Sequence, residues 1–316
     1  MKNPFSKLFD GSPHNNVARP ISSNPIRDIP PVHYGSEVSV SQDWFELRGH
    51  RYKRRQLIDV KPPLGSLSPT LNLDDTLEVS TAVPARDEVF VHLTSQMVDV
   101  LARVADIDHN PSLNMFVLLS GPTGCGKTTL AKTYCHLANQ PITELNFSGD
   151  TTLNDFFRGT EIITNADGSQ GTLASLGPAA LAMLLGKKLI INEINMLPPD
   201  LLGVITQAMD TGRLLLSSTK YGNIEIELHE EFGIIATANP NYVGTAEIGR
   251  SLYRRFGLGL GNVPVSFLSP DQETESLLIE FTRHPVIEAL GVISDDGIAG
   301  RLVRMADTLR NHPEIG

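Results

Sequence analysis

Gly121-Pro-Thr-Gly-Cys-Gly-Lys-Thr128 is a complete G-x-x-x-x-G-K-[ST] phosphate-binding loop, set between an apolar run at 115–120 and a helix-compatible stretch at 127–139. In such a loop the glycines let the backbone close around phosphate oxygens, so that successive N–H groups and the positive end of the following helix face the anion. The pattern predicts a bound nucleoside triphosphate, cradled by Gly121, Pro122, Thr123, Gly124, Cys125, Gly126 and Lys127 and by the start of the helix at Thr128 and Thr129. Lys127 reaches the β- and γ-phosphates, and the Thr128 hydroxyl ligates Mg²⁺.

Outward from the loop, short β-rich runs alternate with helical patterns, the signature of an α/β fold with a parallel sheet covered on both faces. Five strands are expected at 115–120, 142–147, 188–193, 233–239 and 263–268. Helices are expected at 127–139, 178–185, 198–209 and 246–254, several with Pro near the first turn, where its missing N–H costs nothing. Apolar spacing also predicts a helix over 87–104. Two hairpin inserts interrupt the rhythm: 160–175, turning at Asn165-Ala-Asp-Gly168, and 213–229, turning at Lys220-Tyr-Gly-Asn223. Ser269-Pro-Asp-Gln272 reads as a capping box that opens a helix running to about Thr282, and a last helix covers about 295–311.

The first 84 residues are rich in Pro, Ser and Asn, with Pro30-Pro31 and Pro62-Pro63 and no hydrophobic period, which predicts a disordered tail. Within it, Arg48-Gly-His-Arg-Tyr-Lys-Arg-Arg55 reads as a solvated charge run, or alternatively as a contact for nucleic acid or an acidic partner. The domain reading is therefore a tail at 1–84, a nucleotide-binding domain at 85–268 and a partial helical lid at 269–316.

With 316 residues, 41% hydrophobic and 20% charged, the chain has the composition of a globular protein with a sizeable core. A formal charge of −10 opposes general adhesion to nucleic acid or anionic membrane. No apolar run approaches the roughly 18 residues of a membrane span, and residues 1–10 lack a signal-peptide core, so a cytoplasmic protein is expected. Cys125 and Cys135 fit no disulfide framework or metal spacing and are read as reduced.

A phosphate loop alone leaves kinases, GTPases and motor ATPases open; residues downstream decide. The apolar run Leu189-Ile190-Ile191 ends in Asn192-Glu193, where Glu193 is the candidate base that orients an attacking water. Asn239 closes another buried strand and can hydrogen-bond a γ-phosphate or that water without adding charge. Arg254 and Arg255 end a helix. If subunits form a ring, such an arginine reaches the neighbour's nucleotide and stabilises the transferred phosphoryl, an effect of roughly 10³ to 10⁵ in rate.

In this order the features resemble the AAA+ ATPases, specifically the helix-2-insert, dynein-related branch that contains the MoxR, CbbQ/NorQ, gas-vesicle GvpN, cobaltochelatase CobS and dynein/midasin-like proteins. The resemblance rests on Leu153-Asn-Asp-Phe-Phe-Arg-Gly-Thr160, on the Gly177-Pro-Ala-Ala180 approach to Asn192-Glu193-Ile-Asn195, and on the run from Asn239-Pro-Asn-Tyr to Arg254-Arg255-Phe256. It implies that Gly121 to Thr128 is Walker A, Asn192-Glu193 Walker B, Asn239 sensor 1, and Arg255 the arginine finger, with Arg254 second. It further implies ATP and Mg²⁺, a homo-oligomeric ring, hexameric in form, and a protein client, often one with a von Willebrand factor A domain. A nucleic-acid motor of the restriction-translocase kind and an ATP-binding switch or scaffold with little turnover are the alternatives. The sequence departs from the branch at Asn192, where Asp is usual. One negative charge near Mg²⁺ is missing, from which weaker metal affinity and slower hydrolysis are expected. The sequence also ends near where the family continues through the lid toward a second sensor arginine, from which either an arginine supplied from elsewhere or a longer protein is expected.

Overall fold

Apolar runs too short to be helices, and buried on both faces, can satisfy their backbone only by pairing with one another. Phe116–Ser120, Lys188–Ile191 and Gly233–Ala238 are such runs, the last two buried throughout. The computed structural model describes residues 37–57, 83–90, 92–110, 116–146, 156–164, 168–197, 199–218, 222–239, 256, 261–282 and 298–311. All belong to the compact unit His33–Gly316; the other unit, Met1–Val32, lies outside them.

In chain order the elements are β1 (Val38–Val40), β2 (Trp44–Leu47), β3 (His50–Lys53), α1 (Ser95–Asp108), β4 (Phe116–Ser120), α2 (Lys127–Leu137), β5 (Ile142–Leu145), β6 (Arg158–Thr164), β7 (Gln170–Leu176) and α3 (Pro178–Leu185). There follow β8 (Lys188–Ile191), α4 (Pro199–Thr211), β9 (Arg213–Ser218), β10 (Gly222–Glu227), β11 (Gly233–Ala238), β12 (Asn262–Pro264), α5 (Pro270–Thr282) and α6 (Ile298–Arg310). The five expected strands form one sheet in the order β12-β4-β11-β8-β5, every pair parallel. Phe116, Leu118, Leu189, Ile191, Ile234 and Ala236 join a core with α3 and α4. The alternate residues Val117, Leu119, Ile190 and Ile235 are equally buried, and by the two-residue pleat they face the opposite layer, where α1 and α2 contact the sheet.

That second layer is pinned by a buried polar knot. Lys188 Nζ lies 2.6 Å from Asp108 Oδ1 and the Tyr134 hydroxyl donates to Asp108 Oδ2 at 2.5 Å, which joins β8, α1 and α2. Burial pushes the Asp108 carboxyl up, but Lys188 and Tyr134 more than offset it, and the group sits below its ordinary range.

Both hairpin inserts form, β6 with β7 and β9 with β10, each antiparallel. The Ser269 hydroxyl accepts from the Gln272 N–H at 3.4 Å at the start of α5. Arg310 then clamps α6 to α5 through both oxygens of Glu273, at 2.6 and 2.8 Å, and stacks 4.0 Å over the Phe267 ring. The helix expected over 246–254 lies outside the described residues. The first helix starts later than its apolar spacing suggests, at Ser95, because Thr94 takes the N-cap and accepts from the Met97 N–H at 3.4 Å. Of the residues that carried the spacing, Met97, Val98, Leu101 and Val104 are buried in α1, and Val91 lies outside the described residues.

A larger correction falls within the stretch read as a tail. Val38–Lys53 is a three-stranded antiparallel meander. Its second hairpin turns on Arg48-Gly49, both with positive φ, the mirror-image geometry that suits strand twist. Phe45, Leu47 and Tyr52 are buried, with Phe45 against Tyr134 at 6.2 Å between ring centres. Nor is the basic cluster simply solvated. Arg51 stays at the surface over Trp44, but Arg54 and Arg55 are only 7% and 6% exposed. Arg54 Nε donates to the Leu137 carbonyl at 2.8 Å, while Arg55 donates from Nη2 to the Leu185 carbonyl at 3.1 Å and from Nη1 to the Gly186 carbonyl. These are the orphan carbonyls at the ends of α2 and α3, where a cation also meets the negative end of the helix. Arg55→Ala is expected to lower stability by about 2–3 kcal/mol, as loss of charged bonds to buried carbonyls does. Arg51→Ala should change it by less than about 0.5 kcal/mol. Urea unfolding of the two variants checks the contrast, and equal losses would disprove it.

Candidate functional site

The carboxyl ends of β4, β8 and β11 open onto one cavity of about 570 Å³, lined by residues of the phosphate loop together with Asn146, Asn192, Glu193, Thr237 and Asn239. Lys127 and Glu193, far apart in sequence, therefore face the same space.

The loop leaves β4 through a gap only glycine can use. A Cβ on Gly121 would run into the Val265 carbonyl, and the Gly121 N–H donates to the Ala238 carbonyl at 3.1 Å, so the chain passes between its two neighbours in the sheet. Gly124 and Gly126 sit at φ of 81° and 84°, in the left-handed region. Gly126 is also the N-cap of α2, whose first N–H groups lack intrahelical partners by construction and point to the cavity. The Lys127 ammonium rests on the loop's own Gly121 and Pro122 carbonyls at 2.9 and 2.7 Å, weak neutral partners that phosphate oxygens outcompete. The cradle fits a polyphosphate.

Thr128 Oγ1 donates to Asn192 Oδ1 at 2.7 Å, so the two predicted metal-holding residues are in contact. Both offer neutral oxygens, a set suited to Mg²⁺, which keeps several waters and relies on phosphate for charge. The Asn192 amide nitrogen is occupied as well: it donates to Glu144 Oε1 at 2.7 Å and to Asn146 Oδ1 at 2.8 Å. Glu144 in turn pairs with Lys132 at 2.7 Å. Asn239 Nδ2 donates to Thr123 Oγ1 at 2.6 Å, tying the end of β11 to the loop. Arg254 and Arg255 lie outside the described residues; Phe256, which follows them, is fully buried edge-on to Phe116 at 5.4 Å. Burial pushes the Cys125 thiol up while the nearby Lys127 charge pulls it down, the net being a rise. Burial likewise raises the Cys135 thiol, so both stay protonated at neutral pH.

Sequence reasoning missed two features. Glu144, Lys132 and Asn146 belong to the site only because β5 pairs beside β8. A second, apolar cavity of about 190 Å³ opens on the other side of Gly124 and Gly126, walled by Phe90, Val100, Leu130, Val265, Phe267 and Leu277. The Ser276 hydroxyl also lines it and is buried without a hydrogen-bond partner. Three distant segments build that slot, and no local pattern announces it.

The family described as AAA domain (dynein-related subfamily) matches residues 116–256. An uncharacterized protein of Staphylococcus aureus (strain NCTC 8325 / PS 47) is 37% identical over 204 residues, which are 65% of this chain and 72% of that protein. Another, of Staphylococcus epidermidis, is 38% identical over 144 residues, 46% of this chain, and the match spans about half of that relative, 54%. Among solved structures, NtrX from Brucella abortus in complex with ADP is 20% identical with a TM-score of 0.44, over 67% of this chain and 48% of that one.

Glu193 carries a local cost. Its φ is 52° and ψ 55°, a left-handed conformation that disfavours a residue with a Cβ by about 1 kcal/mol or more. The conformation is held by the Glu193 N–H donating to the buried Thr237 hydroxyl at 3.1 Å and by the Met196 N–H donating to the Glu193 carbonyl at 2.8 Å. Strain of this kind gathers where a side chain must be aimed. Glu193→Gly is expected to be more stable than Glu193→Ala by about 1 kcal/mol. Chemical denaturation measures the difference; a more stable Ala variant would contradict the strain.

Proposed function

We propose that the chain, whose residues 116–256 match the AAA domain family, dynein-related subfamily, binds ATP with Mg²⁺, hydrolyses it, and uses the cycle to remodel or activate a partner protein in the manner of MoxR/CbbQ proteins. One observation carries the reading: Lys127 and Glu193 line a single cavity at the carboxyl edge of the sheet.

In this reading the loop N–H groups and Lys127 hold the phosphates, and the apolar slot beyond Gly126 takes the base, with the Ser276 hydroxyl for its polar edge. Thr128 and Asn192 hold Mg²⁺, which when bound neutralises charge on the β- and γ-oxygens. Glu193, exposed and aimed into the cavity, accepts a hydrogen bond from the attacking water and orients it. Asn239, braced by Thr123, meets the γ-phosphate or that water. A neighbouring protomer of a hexameric ring contributes Arg255, or Arg254, to the same phosphate. The two hairpins are the parts suited to contact a client, for which a von Willebrand factor A domain protein is the partner the resemblance favours, in the cytoplasm. The nucleic-acid alternative drew on the basic cluster, and with Arg54 and Arg55 turned onto helix ends it loses that support. The slow-turnover switch draws on the uncharged Asn192.

Lys127→Ala is expected to weaken binding of a fluorescent ATP analogue by about a hundredfold, since it removes a charge-assisted contact to the terminal phosphates. Glu193→Gln should retain binding and lose turnover by about 10² to 10⁴, read as released phosphate. A Gln variant that hydrolyses like the parent would remove Glu193 from the mechanism.

A further inference from the structure

We propose that Glu144 supplies the negative charge that position 192 lacks: its carboxylate holds the Asn192 amide with the carbonyl oxygen toward Thr128, so that an Asn–Glu pair does the Mg²⁺-holding work of one acidic residue. The proposal rests on the ATP reading above.

An amide has an accepting end and a donating end. At Asn192 the donating end meets two acceptors, Glu144 Oε1 at 2.7 Å and Asn146 Oδ1 at 2.8 Å, and the accepting end meets the Thr128 hydroxyl at 2.7 Å. Turning the amide over would set its oxygen against Glu144 and Asn146 together, so its direction is fixed by chemistry. A carboxylate accepting from an amide N–H forms a charge-assisted bond and polarises the amide, which deepens the negative charge on its oxygen. Glu144 is itself positioned: Lys132 Nζ lies 2.7 Å from its other oxygen and 3.5 Å from Glu88. Lys132 stands one helical turn after Thr128 on α2, on the same face. Glu144, Glu88 and Lys132 together leave one net negative charge beside the metal-holding pair. Glu144 acts through Asn192, as a positioning residue.

The arrangement predicts a reversal that a missing charge alone does not. A carboxylate at position 192 would face that of Glu144 at the distance of the present hydrogen bond, so Asn192→Asp should harm metal binding and not improve it. Adding Glu144→Gln should repair the damage, because an amide at position 144 can donate to the new carboxylate and accept from Lys132.

The experiment titrates a fluorescent ATP analogue into the full chain, in EDTA and at rising Mg²⁺, for the parent, Glu144→Gln, Asn192→Asp and the double variant. Affinity of Glu144→Gln in EDTA should agree with the parent within about twofold, which a role in folding alone would not leave intact. The Mg²⁺ midpoint should rise about tenfold in each single variant, the usual cost of losing a metal site's outer partner, and return to within about threefold of the parent in the double variant. An unchanged midpoint in Glu144→Gln, additive losses in the double variant, or parent binding indifferent to Mg²⁺ would each overturn the proposal. Loss of EDTA binding in Glu144→Gln supports the pairing if the double variant recovers it and overturns the pairing if it does not. The ATP reading stands or falls separately, on whether Lys127→Ala weakens binding of the same probe by about a hundredfold.

Discussion

The parallel pairing of β4 with β11, and of β11 with β8, is the constraint from which the cleft follows. Ser120 sits opposite Ala238, and Ile191 opposite Ala236. Parallel strands end at one edge, so the residues that follow them, Gly121, Asn192 and Asn239, emerge together with no further instruction. A slip of one residue in either ladder would turn every side chain to the opposite face and bury Glu193 or expose Ile191. Each face packs against its own set of side chains, so the slip would misfit both layers at once, and the precision of the site is thus a by-product of core packing.

Holding α2 against that edge is a separate problem, because its amino end carries the phosphate loop. The chain fastens the other end. Tyr134 bonds Asp108, and the carbonyl of Leu137 receives Arg54. Asn139, left-handed at φ 55°, closes the helix and donates to the Arg55 carbonyl. A buried pair such as Asp108 with Lys188 adds little net stability over an apolar substitute, yet it is costly to break once made. It locks α1, α2 and β8 in one relation, which is what a phosphate loop needs from its scaffold. The meander at Val38–Lys53 belongs to this fastening, since Phe45 packs on Tyr134 and the strand lead-out carries both arginines.

What could be read from residues alone divides by the range of the interaction. The five sheet strands were legible because continuous apolar runs bounded by turns leave few other readings. The phosphate loop was legible because its glycines, Lys127 and Thr128 act within eight consecutive positions. The hairpin at Arg213–Glu227 showed itself by Ile224, Ile226 and Leu228 alternating with charge. Strands of three and four residues are too short to display a period, so Val38–Lys53 passed for tail. Arg54 and Arg55 looked like surface charge because the helix-end carbonyls that each receives lie more than 80 residues away, which no side-chain pattern records. Glu144 and the Phe90–Phe267 slot were hidden for the same reason. Their membership in the site depends on which strand or helix lies next to which.

Asn192 shows how far such hidden neighbours alter a reading. Taken along the chain, it is a missing charge. Within the sheet it is one end of a bridge: its N–H donates to the Leu145 carbonyl at 3.3 Å, and its side chain spans from Thr128 on α2 to Glu144 and Asn146 at the end of β5. An aspartate at this point would offer two accepting oxygens and no donor for Glu144 or Asn146. The amide, with a donor and an acceptor, must be satisfied at both ends, so the oxygen turned toward Thr128 is tied to the pairing of β5 with β8 and to the Lys132 face of α2. In the proposed Mg²⁺ site the charge is thereby shared across two strands, and anything that moves the edge strand β5 relative to β8 changes the strength with which Asn192 would act.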